Sequence, residues 1–437
     1  MLSTFRNAFK IPDLRKRILF TFLMLVIFRF GAHVPVPFLS AEAMKAFLSG
    51  GTDLFSLFDV FTGGAFSQAT IMALGVSPYI NASIIIQLLT VAIPSLERLA
   101  KEGIEGRKKI NKITRYTGIA LAFIQGAGLY VTLLNMGSAI SNPGVLAFFI
   151  ITLTFTAGTA FIVWLGELIT EKGLGNGVSL VIFAGIVSRI PSGAYSLYKQ
   201  YLEGSVSVKG IVIVAAVAVV AVVAIAFVVL FDSAERRIPV QYAKRVVGRK
   251  MYGGQSTHIP IKVVMGGVMP IIFASSIMAF PATIVRLATA NNLPTSGVGY
   301  ILLGMLSASM GPWWTDIVYS VLYFILIIFF TYFYAAIQFN PIEIANNMKK
   351  SGGFIPGIRP GKPTSDFIAK VTTRCNLAGA AFLGIVAILP IIVGAIFKIS
   401  TLQIGGTSLL IMEGVALETV RQIESQMTMR HYKGFLE

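Results

Sequence analysis

The chain has 437 residues, of which 55% are hydrophobic and only 13% charged, and its mean hydropathy is +0.78. Those values exclude an ordinary soluble domain and place the chain among helical proteins that cross a bilayer several times. A formal net charge of +17 would point to nucleic acid in a soluble protein, whereas here its placement along the chain decides its meaning.

The chain opens with Arg15, Lys16 and Arg17 ahead of an apolar run from Ile18. That order resembles a secretory signal, but Arg29 interrupts the run and no small-x-small cleavage site follows. The stretch therefore reads as an uncleaved first span over 18–35. Next comes 53–73 (DLFSLFDVFTGGAFSQATIMA), apolar enough to want burial yet too short, and too broken at Gly63-Gly64, to cross. Either a re-entrant segment packed inside the protein or an amphipathic helix lying on the bilayer satisfies it. Further spans follow at 74–93, 115–135, 145–166, 177–190, 210–231, 263–284, 317–339, 375–397 and 407–424. The stretch 211–231 reads IVIVAAVAVVAVVAIAFVVLF, without one polar side chain. At about 1.5 Å per residue it covers the ~30 Å hydrocarbon core.

Sorting the loops alternately puts 29 of the 36 Lys and Arg on one side. By the positive-inside rule that side, with both termini, is cytoplasmic. The loop 191–209 separates five spans (1–190) from five (210–437), which is the arithmetic of an inverted repeat. Spans two and seven match in carrying glycine and proline near their starts: Gly75 with Pro78, and Gly266 and Gly267 with Pro270.

An ion-coupled transporter of small solutes needs carboxylates, histidines or lysines at the midplane, and spans two to nine carry almost none. Glu413 and Glu418 lie in the tenth span, either as a proton or ion site or as groups paired locally near a helix end, with Glu418 three residues before Arg421. The one cysteine, Cys375, excludes an internal disulfide, and His33, His258 and His431 are too scattered for a zinc pattern. No HExxH occurs, so an intramembrane metalloprotease is set aside. No GxxxxGK[ST] occurs, so energy comes from outside this chain. Two cytoplasmic loops are longer than topology requires. Segment 232–262 contains ERRIPVQYAKRVVGRK, and 340–374 contains KKSGGFIPGIRPGKP, whose glycines and prolines forbid a regular helix. Arg359 sits at the expected tip of a stiff projection suited to phosphates or carboxylates of a large partner.

The segments GGAFSQATIMALGVSPYINASIIIQLL, WLGELITEKGLGNGVSL, IPVQYAKRVVGR, QSTHIPIKV, PIIFASSIMAFPATI, KKSGGFIPGIRPG and GGTSLLI together resemble the SecY/Sec61-alpha family of protein-conducting channel subunits, in its bacterial wording. The resemblance runs from the first span to the tenth. It implies an all-α polytopic protein with ten transmembrane helices in two inverted halves around an hourglass pore. It implies a constriction ring at Val76, Ile80, Val178, Ile182, Ile272 and Ile411, all aliphatic as a dewetting closure requires. It implies a re-entrant plug helix over about 61–73, including Phe61, Gly63, Gly64 and Phe66. It implies a lateral gate through Asn81, Ser83, Gln87, Ser275 and Ser276. Arg245, Arg249, Lys250 and Arg359 are implied to dock the motor ATPase SecA or the ribosome. SecE and SecG are implied as membrane subunits, precursor polypeptides as clients, and no cofactor. Glu413, just past Ile411, departs from the apolar residue usual there and leaves the dryness of the tenth helix open.

Overall fold

A computed structural model describes residues 8–49, 59–135, 139–202, 208–242, 245–247, 250–252, 256–278, 298–306, 313–397 and 405–433. The chain packs as two compact units. The first comprises Met1–Val214, Met278–Tyr319 and Ile411–Glu437, and the second comprises Ala215–Ile277 and Ser320–Leu410.

In chain order the first helices are α1 (Pro12–Gly31), α2 (Ala41–Ser49), α3 (Ser77–Ala92), α4 (Pro94–Lys101), α5 (Ile104–Asn135), α6 (Val145–Lys172), α7 (Gly177–Leu202) and α8 (Val208–Asp232). Four strands follow: β1 (Glu235–Tyr242), β2 (Arg245–Val247), β3 (Lys250–Tyr252) and β4 (Ser256–Lys262). Beyond them lie α9 (Met269–Met278), α10 (Val298–Leu306), α11 (Trp313–Gln338), α12 (Pro341–Lys350), β5 (Gly353–Phe354), α13 (Lys362–Phe397) and α14 (Gly405–Lys433).

The long helices are apolar on both faces. On α6, Ile151, Phe155, Ile162, Leu165 and Ile169 recur every three to seven residues and are buried. Val145, Leu146, Leu153 and Trp164 on the same helix are each more than half exposed. An outer face of that kind is unfavourable in water and suits lipid. Its threonines do not break the pattern, because Thr154 and Thr156 donate to the carbonyls of Ile150 and Thr152 at 2.6 and 2.7 Å. Five described helices are long and apolar enough to cross a membrane, or six if the bent pair α3–α4 forms one span. That pair turns by 100° at Ile93, whose extended backbone (φ −106°, ψ 115°) is what a following proline imposes.

Two expectations change. The stretch 191–202, expected as loop, continues α7 as helix with Pro191 inside it. The sequence beyond the proline (SGAYSLYKQYL) supplies enough helix formers, and one missing N–H leaves the rest of the ladder intact. The segment 232–262, expected as a loop, also forms strands. β1 pairs antiparallel with β4 on one side and β5 on the other. Alternate residues Ile238 and Val240 face a small core with Ile261, Met348, Ile355 and Ile368, while Arg237, Pro239 and Gln241 face out. Elsewhere in the second unit Phe231 stacks on Phe382 at 4.1 Å, and Phe273 meets Phe330 and Tyr334 edge-on at 5.7 and 5.4 Å.

Candidate functional site: an aliphatic set beside a charged cavity

The 59–76 stretch is deeply buried: Ala65, Phe66, Ala69, Thr70, Met72 and Ala73 are each at most 1% exposed. Burial decides between the two readings of the sequence, because a helix lying on the bilayer surface would be half open. The conformation differs from expectation. Helix is present only at 59–61, and turns replace it through 76. Gly63 (φ +68°) and Gly64 (φ +90°) adopt left-handed backbone that ends a helix. Further on, the stretch pairs with the end of the first span: Val36 N–H donates to Ala69 at 2.9 Å, and Ile71 N–H to Val34 at 3.0 Å.

Three glycines from three helices make room for it. A β-carbon on Gly31 would strike the Met72 side chain, on Gly158 the Ile71 carbonyl, and on Gly185 the Phe61 carbonyl. Polar groups fasten it as well. Asp59, 2% exposed, pairs with Arg189 at 2.6 Å. Arg29 donates Nη1–H to the Gly63 carbonyl at 2.9 Å. A buried peptide oxygen needs a donor, and Arg29 supplies it. Sequence reasoning passed over Asp59, Arg189, Gly158 and Gly185. A lone carboxylate inside LFSLFDVF was the one available sign, since an acid in such surroundings needs a partner.

Five of the six aliphatic residues stand in the first unit. Val76 (6% exposed) caps the start of α3 and Ile80 lies one turn on. Val178 and Ile182 have the same spacing of four residues at the start of α7, and Ile411 (2%) lies on α14. Both helix starts follow glycines with positive φ, Gly75 (+57°) and Gly175 (+75°). A β-carbon on Gly177 would overlap the Gly166 carbonyl, so α6 meets α7 at its first residue, next to Val178. The sixth residue, Ile272 (9%), lies on α9 in the second unit.

Val178 also lines a cavity of about 790 Å³ with Tyr79, Lys108, Lys112, Arg115, Glu167 and Glu418. Arg115 and Glu167 pair across it at 3.0 Å, both partly exposed. An apolar helix start thus borders a charged space that holds water readily. Glu418 faces this cavity, while Glu413 is buried at 7%.

The remaining site residues divide. Gln87 donates to Ser83 at 3.5 Å and Ser275 to the Ile272 carbonyl at 2.9 Å, both within their own helices. Asn81 and Ser276 are half-buried. Arg245 and Lys250 belong to the small β2–β3 hairpin, opposite Tyr252 and Val247, and Arg249 lies outside the described residues. Arg359 is exposed on a turn rooted by buried Ile355 (3%), and its carbonyl accepts from Thr364 Oγ1 at 2.9 Å. Among the described residues no cluster of His, Cys, Asp or Glu could hold a metal.

Its long apolar helices make this a helical protein embedded in a membrane. The family model described as SecY matches residues 70–420. The protein translocase subunit SecY of Streptomyces coelicolor is 44% identical, with the whole of each chain covered. A solved structure titled for the plug domain of the SecY protein stabilising the closed state of the translocation channel has TM-score 0.66 at 19% identity, covering 94% of this chain and 92% of that one. Sec61 in the canine ribosome-channel complex has TM-score 0.63 at 18% identity, with 94% and 92% covered. The chain belongs to the SecY family. It is a membrane protein-conducting channel subunit for translocation.

Proposed function

We propose that the chain forms a channel of ten spans in the cytoplasmic membrane of a bacterium, with both termini cytoplasmic. Its halves, 1–190 and 210–437, are inverted repeats joined across 191–209. The collar that closes it is Val76, Ile80, Val178, Ile182, Ile272 and Ile411. The observation that carries this reading is the aliphatic start of α7 against a charged cavity of about 790 Å³. Water fills the charged side, and an apolar constriction dewets and stops ions. The buried stretch over about 61–73, with Phe61, Gly63, Gly64 and Phe66, is the plug that seals the collar.

A precursor polypeptide threads the collar as an unfolded chain, and flexible aliphatic side chains close around any sequence. Apolar segments leave sideways between α3 and α9, past Asn81, Ser83, Gln87, Ser275 and Ser276. Hydrogen bonds at such a seam are worth about 0.6 kcal/mol each, small enough for an entering signal helix to replace, and transfer from water to lipid drives the exit. Arg245, Arg249, Lys250 and Arg359 dock the SecA ATPase or the ribosome, which supplies the energy, and ribosomal RNA meets them as a phosphate surface. SecE and SecG complete the membrane complex. The ribosome-bound Sec61 relative supports the docking role.

The test is electrical. Ile80→Ser combined with Ile182→Ser, in the full chain with its co-purifying membrane partners, raises ion conductance of planar bilayers in the absence of precursor. Conductance equal to that of the unaltered complex overturns the collar.

A further inference from the structure

We propose that Asp59, Arg189 and Arg29 form a polar clasp that holds the 59–76 stretch in its seat and sets how readily that stretch is released. The inference rests on the reading of the stretch as the plug.

The Asp59 carboxylate works in two directions. Oδ2 pairs with Arg189 Nη2 of α7 at 2.6 Å. Oδ1 accepts the Ser67 N–H at 2.7 Å, eight residues further along the same stretch. Asp59 also offers its carbonyl to the Gly64 N–H at 2.8 Å and to Thr62 Oγ1 at 3.2 Å. One acid therefore folds the turn around Gly63-Gly64 and ties that folded turn to α7. Arg29 ties the same turn to α1 through the Gly63 carbonyl at 2.9 Å. The two guanidiniums are near enough to feel each other's charge, so Asp59 also relieves a repulsion between them.

The seat and the clasp hold the stretch by different physics. The glycine seat fixes where the backbone lies, through contacts a β-carbon would prevent. An ion pair is a poor device for raw stability when buried, because desolvation offsets most of its attraction. It is a good device for a reversible catch. Arg189 is already 37% exposed, and the Asp59 side chain 3%. When the stretch leaves, both charges regain water, so breaking the pair is opposed over a short distance and then compensated. Removing one partner while the stretch stays seated leaves the other without its counter-charge, and that favours release.

The experiment uses the full chain with its co-purifying membrane partners in planar bilayers, without precursor. Arg189→Gln and Asp59→Asn are each expected to raise the open probability about tenfold, equivalent to ~1.4 kcal/mol. The double variant Asp59→Asn, Arg189→Gln rises no further than either single one, because both remove the same pair. Arg189→Lys, which keeps the charge, stays within about twofold of the unaltered complex. Deletion of 61–69 is the comparison arm. In a Cys375→Ser, Ser67→Cys background, the Arg189→Gln change also speeds maleimide labelling at position 67, a readout that a merely misfolded helix elsewhere would not move. Leak confined to the deletion, with both single variants tight and labelling unchanged, overturns the clasp alone. A deletion that does not leak overturns the plug reading and the clasp with it.

Discussion

Two irregular stretches of this chain are rich in glycine, and the glycines serve different ends. Around 59–76 the glycines that matter most are on the neighbouring helices, where Gly158 and Gly185 let carbonyls of the stretch lie directly against α6 and α7. In the turn over 351–361, Gly352, Gly357 and Gly361 have open space where a β-carbon would be. There φ values of +72°, +81° and +109° are the whole reason for glycine. The first stretch is held in a mould, and the second is a self-supporting projection rooted at Ile355. A seat must forbid volume, whereas a projection must only fix backbone angles.

The sharpest way to break that comparison is Gly158→Ala. The added methyl has the Ile71 backbone to displace, which no side-chain rotation relieves. A loss of about 3 kcal/mol is expected, seen as a lowered Tm of the purified complex together with ion leak. Gly357→Ala meets no atom and costs only the left-handed backbone, about 1 kcal/mol. Its Tm falls modestly and the bilayer stays tight. Leak from Gly357→Ala, or none from Gly158→Ala, would erase the distinction between mould and projection. Arg359→Glu, exposed on the same projection, is expected to change stability by less than about 0.5 kcal/mol. It weakens co-sedimentation with ribosomes, and the difference from the unaltered complex shrinks as salt rises. The smallest effect belongs to the α4 surface. There Lys101 and Glu97 form a solvent-exposed pair at 2.5 Å, and Lys101 holds the Glu97 carboxyl below its usual range. Lys101→Ala leaves Tm and conductance unchanged, because such pairs contribute little in water.

Membrane character was legible because lipid demands long apolar runs, and 211–231 falls within α8. The sheet was missed although RRIPVQY alternates with period two. Its basic residues drew attention to charge, and a strand with one polar face looks like a loop when only hydropathy is summed. The continuation of α7 past Pro191 was missed because proline reads as a stop. The aliphatic residues Val76, Ile80, Val178, Ile182, Ile272 and Ile411 are proposed through resemblance alone, since nothing in their chemistry separates them from ordinary packing. Asp59 and Arg189 are 130 residues apart, and no local pattern joins them.

Composition alone determined that this chain crosses a bilayer, because transfer free energies act residue by residue. Whether 59–73 lay on the membrane or inside the protein was decided only by tertiary structure. Three distant glycines and two distant arginines had to converge on it. Contacts between residues so far apart in sequence exist only once the helices have packed.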